Sequence, residues 1–244
     1  VKEEIKSAAS DLTEKGVKPA LAVILVGEDA ASKTYVASKE KACAACGIRS
    51  VAHRLSSDVS EAALLELIEN LNEDESIDGI LVQLPLPRHI DTNKILETIS
   101  PEKDVDGFAA INAGKLASGL DGFVPCTPLG IMEIFKAYDI NLEGKNAVVI
   151  GRSNIVGKPM ANLLLNANAT VTVTHSKTRN LKEICADADI LVAAIGRADF
   201  VTADMVKDGA VVIDVGINRM DDGKLKGDVK FDEVAPKCSF ITPV

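Results

Sequence analysis

Tyr35 and Lys39 stand four residues apart in a stretch, residues 31–46, whose pattern predicts a helix. That spacing puts a phenol and an amine on one helical face. Such a pair can position a substrate and move a proton when the amine is partly withdrawn from water. The same residues would also suit the exposed face of an amphipathic helix. Gln83 ends the apolar run that starts at Gly79 and precedes Pro85 and Pro87. A polar side chain at the carboxyl end of a parallel strand points to where ligands bind in open α/β sheets. Asp104 and Asp106 fall in the loop 101–108, Pro-Glu-Lys-Asp-Val-Asp-Gly-Phe. A carboxylate there can accept parallel hydrogen bonds from an N–H and an amino group, or it can cap a turn or a helix.

A second group of residues points to a nucleotide. Gly151-Arg-Ser-Asn-Ile-Val-Gly157 follows the apolar strand 146–150 and precedes a helix opening near Pro159. Strand, tight turn and helix offer a pyrophosphate the unpaired N–H groups and positive dipole end of the helix. Ser153 replaces the middle glycine of G-x-G-x-x-G, and a loop that merely packs well would read the same way. The next strand, 170–174, ends in His175, Ser176, Lys177 and Thr178, with no acid. An NAD site usually puts an acid there for the ribose hydroxyls, whereas Ser176 and Arg152 suit a 2′-phosphate, which favours NADP. Lys177 reads more simply as a solvated loop charge. Tyr-x-x-x-Lys also occurs in short-chain dehydrogenases, but there the glycine motif comes first. Here the order is reversed and the pair lies outside the nucleotide domain, so that reading fails on topology.

These groups need a scaffold, and the chain alternates helix and strand to supply one. Helices are predicted over 1–15, 31–46, 60–72, 91–99, 129–138 and 180–187, with a short one near 203–207. Strands are predicted over 19–26, 51–55, 79–83, 146–150, 170–174, 189–194 and 210–215. The alternation predicts parallel sheets covered by helices. Residues 221–223, Asp-Asp-Gly, read as a hairpin turn, and residues 240–244 as a final strand or loop. The glycine-rich stretch 114–128 holds the expected boundary, giving domains of residues 1–125 and 126–244. The fold class is therefore α/β, with an N-terminal catalytic domain, a Rossmann-type dinucleotide-binding domain and a cleft between them.

Composition narrows the partners. Of the 244 residues, 47% are hydrophobic and 26% charged, which suits a globular protein with a real core, and 3% aromatic residues make that core aliphatic. A net charge of −9 repels phosphate backbones and anionic lipid, which argues against nucleic-acid and membrane partners. No apolar run reaches the roughly 18 residues of a spanning helix, and the charged opening Val-Lys-Glu-Glu shows no signal peptide. Five scattered cysteines suit a reducing compartment, and the expected location is cytoplasmic. Cys43 and Cys46 form a C-x-x-C, but no second pair completes a zinc site, so no metal is expected and the two read as small apolar residues near a helix end.

Taken together, nine stretches are similar to the bifunctional methylenetetrahydrofolate dehydrogenase/methenyltetrahydrofolate cyclohydrolase family. They are Tyr35-Val-Ala-Ser-Lys39-Glu-Lys-Ala, Asp78-Gly-Ile-Leu-Val-Gln-Leu-Pro-Leu-Pro87, Pro101-Glu-Lys-Asp-Val-Asp-Gly-Phe108, Pro125-Cys-Thr-Pro128, Val149-Ile-Gly-Arg-Ser-Asn-Ile-Val-Gly-Lys-Pro159, His175-Ser-Lys-Thr178, Val212-Ile-Asp-Val-Gly-Ile-Asn218, Gly227-Asp-Val229 and Phe240-Ile-Thr-Pro-Val244. They occur in order over nearly the whole chain, and the family pattern runs on past Val244. The resemblance implies NADP-dependent oxidation of 5,10-methylenetetrahydrofolate and hydrolysis of the methenyl product to 10-formyltetrahydrofolate, within one-carbon metabolism that feeds purine biosynthesis. It implies that Lys39 is the acid/base, that Tyr35 positions the substrate, that Gln83 tunes Lys39 and that Asp106 holds the pterin edge. Gly151, Arg152, Ser153, Ser176 and Ile217 would contact the cofactor, with Thr127 near the nicotinamide, and the protein would be a homodimer. A monofunctional NAD-dependent dehydrogenase and a non-catalytic nucleotide-binding protein are the alternatives. Lys39, Gln83 and Asp106 argue against the first, and Lys39 against the second.

Overall fold

The structure is a computed structural model describing residues 1–244. The chain divides into two compact units, Val1–Gly114 and Lys115–Val244. In the first, α1 (Lys2–Glu14) leads to β1 (Ala20–Val26), α2 (Ala30–Cys46), β2 (Arg49–Leu55), α3 (Glu61–Glu73), β3 (Gly79–Val82) and α4 (Thr92–Thr98), with α5 (Ala110–Ala117) running across the division. The sheet is all parallel, in the order β2-β1-β3. Central β1 is apolar throughout because both its faces are covered. Ala22, Ile24 and Val26 join Leu64, Ile68 and Ile95 of α3 and α4 on one side, while Val23 and Leu25 meet Val36 of α2 on the other.

Local chemistry fixes the ends of α2, the helix that carries Tyr35 and Lys39. The Asp29 carboxylate accepts from the Ser32 N–H at 2.8 Å, an N-terminal cap. Gly47 closes the other end at φ 76°, and the Ile48 N–H reaches back to the Cys43 carbonyl at 2.9 Å. Gly79 does similar positional work at the start of β3. A Cβ there would lie 2.5 Å from Val105 Cγ1, so the missing side chain lets the 101–108 loop lie against the strand. The Ile80 N–H then bonds the Lys103 carbonyl at 2.7 Å, which registers Asp104 and Asp106 beside β3.

In the second unit, α6 (Cys126–Ala137) precedes β4 (Asn146–Ile150), α7 (Gly157–Asn166), β5 (Thr170–Thr174), α8 (Leu181–Ala186), β6 (Ile190–Ala193), β7 (Val211–Asp214), the hairpin β8 (Asn218–Arg219) and β9 (Leu225–Lys226), α9 (Phe231–Val234) and β10 (Phe240–Ile241). Its sheet is parallel in the order β10-β7-β6-β4-β5, so strand order reverses between β4 and β6. That reversal opens a crevice at the strand carboxyl ends, the usual ligand position in doubly wound folds. Val148, Ile150, Leu191 and Val212 fill one side of the sheet, and Ala147, Val149, Met160, Leu164 and Ile190 the other.

Three elements differ from the sequence prediction. Helix α5 occupies part of the stretch predicted as a glycine-rich boundary. The Asp104 carboxylate accepts the Ala109 N–H at 2.9 Å and fixes its start, so an acid in the preceding loop outweighs the roughly 1 kcal/mol helix penalty of Gly114. Helix α6 begins earlier than predicted, at Cys126, with Pro128 in its first turn, where the missing N–H does no harm. The expected helix near 203–207 is a single 3-10 turn, Ala203–Met205. The hairpin turn at 221–223 is present between β8 and β9. No helix is long and apolar enough to cross a membrane.

None of the five cysteines is in a disulfide. Burial pushes the Cys185 thiol up to about 11 and raises Cys43, with the neighbouring Cys46 adding to the latter. A buried thiol that stays protonated reacts slowly, whereas Cys126 is exposed. A disulfide reagent at mildly alkaline pH is therefore expected to label Cys126 quickly and Cys43 and Cys185 only on unfolding. Cys126→Ser should remove the fast phase, and a fast phase that survives it would contradict this assignment.

Candidate active site

The chemistry-bearing residues of the first unit converge at the carboxyl end of β3. Half-buried Lys39 donates from Nζ to Gln83 Oε1 at 3.1 Å. Gln83 is held at both ends. Its N–H bonds the Ile24 carbonyl at 2.8 Å, and its Nε2 donates to the Leu84 carbonyl at 2.9 Å, which leaves the amide oxygen facing Lys39. The Leu84–Pro85 peptide bond is cis. Glu40, the obvious carboxylate competitor beside Lys39, is bound by Arg54 through both oxygens, at 2.7 and 2.8 Å. Lys39 forms no ion pair, so an amide, not an acid, faces the amine. Tyr35 lies one turn earlier on α2 and is 45% exposed, a ring open to a ligand.

The sequence leaves Asp104 and Asp106 equivalent, and the fold separates them. Asp104 is 1% exposed and its Oδ2 accepts from the Ala109 N–H and from Asn112 Nδ2 at 3.0 Å, so it is the structural carboxylate. Asp106 is half-buried on the same loop, two residues on.

In the second unit, Gly151 sits at φ 120°, and a Cβ there would overlap the Ala194 carbonyl. A Cβ on Gly157 would overlap the Gly151 carbonyl. Both glycines let the loop fold tightly between β6 and the start of α7. Ser153 has a role a middle glycine could not fill. Its Oγ accepts from the Val156 and Gly157 N–H groups, both at 3.2 Å, and closes the turn that leads into α7. Gly151, Arg152, Ser153 and Ser176 come together in one cavity of about 380 Å³ at the carboxyl ends of β4, β5 and β6. No carboxylate lines it, and Arg152 forms no ion pair, so the residues present fit a phosphorylated nucleotide. Ile217, 58% exposed after β7, and Thr127, exposed in the first turn of α6, lie outside that lining.

Sequence reasoning gave no role to His175, Ile195, Arg197 and Phe200, which share the cavity. The His175 Nδ1 accepts the Lys177 N–H at 3.1 Å and closes the turn after β5. It also missed two acids, buried Asp228 and half-buried Asp214. Asp228 is 0% exposed and accepts from the N–H groups of Ile195, Gly196 and Arg197 at 2.7, 3.0 and 2.7 Å, and from Asn218 Nδ2 at 3.0 Å. Asp214, at the end of β7, accepts from the N–H groups of Gly216, Asp228 and Val229. Burial pushes the Asp214 carboxyl above its ordinary range; the three N–H groups pull it back, and the Asp228 charge pushes it further up. A Cβ on Gly216 or Gly227 would overlap one of these carboxylates. A glycine within two residues of an Asp, in Asp214-Val215-Gly216 and in Gly227-Asp228, is the signal that could have found them.

An amine–amide pair at the end of a parallel strand, with a doubly wound unit that receives a phosphorylated nucleotide at its strand-order reversal, defines a dinucleotide-linked enzyme of the two-domain α/β class. Residues 1–106 match the tetrahydrofolate dehydrogenase/cyclohydrolase catalytic domain, and residues 125–244 match the NAD(P)-binding domain of the same family. The chain belongs to the tetrahydrofolate dehydrogenase/cyclohydrolase family. It is 72% identical over 244 residues to the bifunctional protein FolD of Campylobacter hominis, covering all of this chain and 86% of that one. The crystal structure of the bifunctional methylenetetrahydrofolate dehydrogenase/cyclohydrolase FolD from Campylobacter jejuni is 55% identical and superposes with a TM-score of 0.97, over all of this chain and 86% of that one. A Trypanosoma brucei FolD solved with NADP cofactor and an inhibitor is 40% identical, with a TM-score of 0.93 and the same coverage.

Proposed function

We propose that this chain oxidises 5,10-methylenetetrahydrofolate with NADP and hydrolyses the methenyl product to 10-formyltetrahydrofolate. Residues 1–125 serve as the folate-binding catalytic domain and residues 126–244 as the NADP-binding domain. NADP is held by Gly151, Arg152, Ser153, Ser176 and Ile217, and when bound it accepts the hydride from the methylene bridge. The chain's own task in that step is orientation. Tyr35 sets the folate ring in place, and Asp106 accepts from the N–H and amino group of the pterin edge. In the hydrolytic step Lys39 takes a proton from the water that attacks the methenyl carbon. As the carbon–N5 bond breaks, N5 gains one of the water's protons and the other leaves to solvent. Gln83 fixes the Lys39 Nζ with a neutral acceptor, whereas a carboxylate there would favour the charged ammonium. The 3.1 Å contact between Lys39 Nζ and Gln83 Oε1 carries this reading.

The test is the absorbance of the protein with 5,10-methylenetetrahydrofolate and either NADP or NAD. NADPH that forms without lasting methenyl product is the expected result. Methenyl accumulation would leave a dehydrogenase alone, and no reduction with either cofactor would overturn the reading.

The reading extends to a cytoplasmic homodimer whose subunits join through the nucleotide domain, with no nucleic-acid or membrane partner. A net charge of −9 supports the absence of polyanionic partners, and five scattered cysteines support a reducing compartment. Sedimentation equilibrium at a twofold subunit mass is the expected result for the dimer, and a monomer would remove it.

A further inference from the structure

We propose that Arg197 is the adenine shelf of the nucleotide site, a stacking residue whose plane, not its charge, holds the cofactor. The inference rests on the reading that the second unit binds NADP. The cavity at the strand ends has two kinds of wall. Arg152 and Ser153 follow the middle strand β4, and Ser176 follows β5, so the donors that suit phosphate lie there. The wall that follows β6 is different. It consists of Ala194, Ile195, Arg197 and Phe200, and it holds no hydroxyl. A purine offers two flat, weakly polar faces, and that is what such a wall accepts.

Arg197 is prepared for stacking. Its guanidinium carbon stands 4.7 Å from the Phe200 ring centroid, so one face of the cation is braced on an aromatic ring. It forms no ion pair that would pull it away. Its backbone N–H is fixed by buried Asp228 at 2.7 Å, and the two preceding N–H groups are fixed by the same carboxylate. The root of the side chain and one face of its tip are therefore both set before a ligand arrives. A planar guanidinium braced on one side leaves the opposite face to stack on a ring, which a lysine ammonium cannot imitate.

The two roles open to an arginine here predict opposite results. Arg197→Lys keeps the charge and loses the plane, whereas Arg197→Met loses both. As a shelf, Arg197 makes both variants weaken NADP and NAD alike, by about tenfold. Calorimetry with fragments reads the same thing without turnover: 5′-AMP should bind more weakly to both variants, and nicotinamide mononucleotide as it does to the parent. A loss confined to NADP and restored by Lys would overturn the proposal and make Arg197 a 2′-phosphate ligand. Unchanged affinities would make it a surface arginine. Parent protein that binds neither dinucleotide would refute the NADP reading itself, and so is distinguishable from failure of the shelf.

Discussion

Lys39→Met is expected to lower hydrolysis of 5,10-methenyltetrahydrofolate by about 10²–10⁴-fold, the usual contribution of a positioned acid/base, while NADP affinity stays at the parental value. Met matches the length and apolar stem of Lys, so helix α2 keeps its fit on β1 through Val36. The change removes the nitrogen and with it the only donor facing Gln83 Oε1. The nucleotide cavity draws its walls from residues 150–200 and none from α2, so binding has no reason to move. Hydrolysis followed by loss of methenyl absorbance, with NADP affinity from calorimetry, checks both halves. Parental hydrolysis would remove Lys39 from the mechanism. Loss of NADP affinity alongside would show a general structural failure. Gln83→Glu is the companion: a carboxylate would pair with the ammonium and hold it charged, so hydrolysis should fall although the hydrogen bond survives.

How much of this the sequence could show depends on how local each cause is. The strands β1, β4 and β6 are legible because a strand covered on both faces is apolar without alternation, as in Ala20–Val26. Helix α2 is legible because its ends are marked, Gly47 most plainly. The Lys39 and Gln83 pairing is not local, since the residues are 44 apart in sequence. Spacing puts Tyr35 and Lys39 on one face, but only the parallel register of β1 with β3 brings Gln83 to them. Helix α5 was hidden for a nearer reason, because its cap stands five residues before Ala109 in the preceding loop. Its start depends on the Asp104 carboxylate reaching Ala109 and Asn112, and nothing within the stretch 110–117 announces it. Ser153 shows the reverse. A departure from the glycine pattern looked like a weakness, yet its hydroxyl closes the turn of α7 by a bond no glycine can make. Arg197 and Phe200 carry no motif, and only the β6 register brings them to the cavity.

Asp228→Ala is expected to destabilise the protein by about 3–5 kcal/mol and to raise the KM for NADP more than it lowers kcat. The carboxylate, itself without solvent exposure, gathers three successive N–H groups and the Asn218 amide. An orphaned buried donor costs about 1–3 kcal/mol, and the total is less than the sum because the loop can relax and admit water. Folding stability is on the order of 5–15 kcal/mol, so the loss is large but survivable. The loop 195–197 is a wall of the nucleotide cavity, which is why binding should suffer with stability. Asp228→Asn keeps the shape but turns an amino group toward N–H donors, so it should lie between Ala and the parent. The variant also tests the neighbouring acid. Native Asp214 holds its proton above the ordinary Asp range, so between pH 3.8 and its raised native value the folded state binds more protons than the unfolded one. Its contribution to stability therefore falls as pH rises through that window. Removing the Asp228 charge removes one of the causes that raise it, and the Asp214 carboxyl signal in an NMR titration should move to lower pH in Asp228→Asn. A signal that stays in place would show that burial alone sets Asp214, and urea midpoints equal to the parent in both variants would show that the loop does not depend on Asp228.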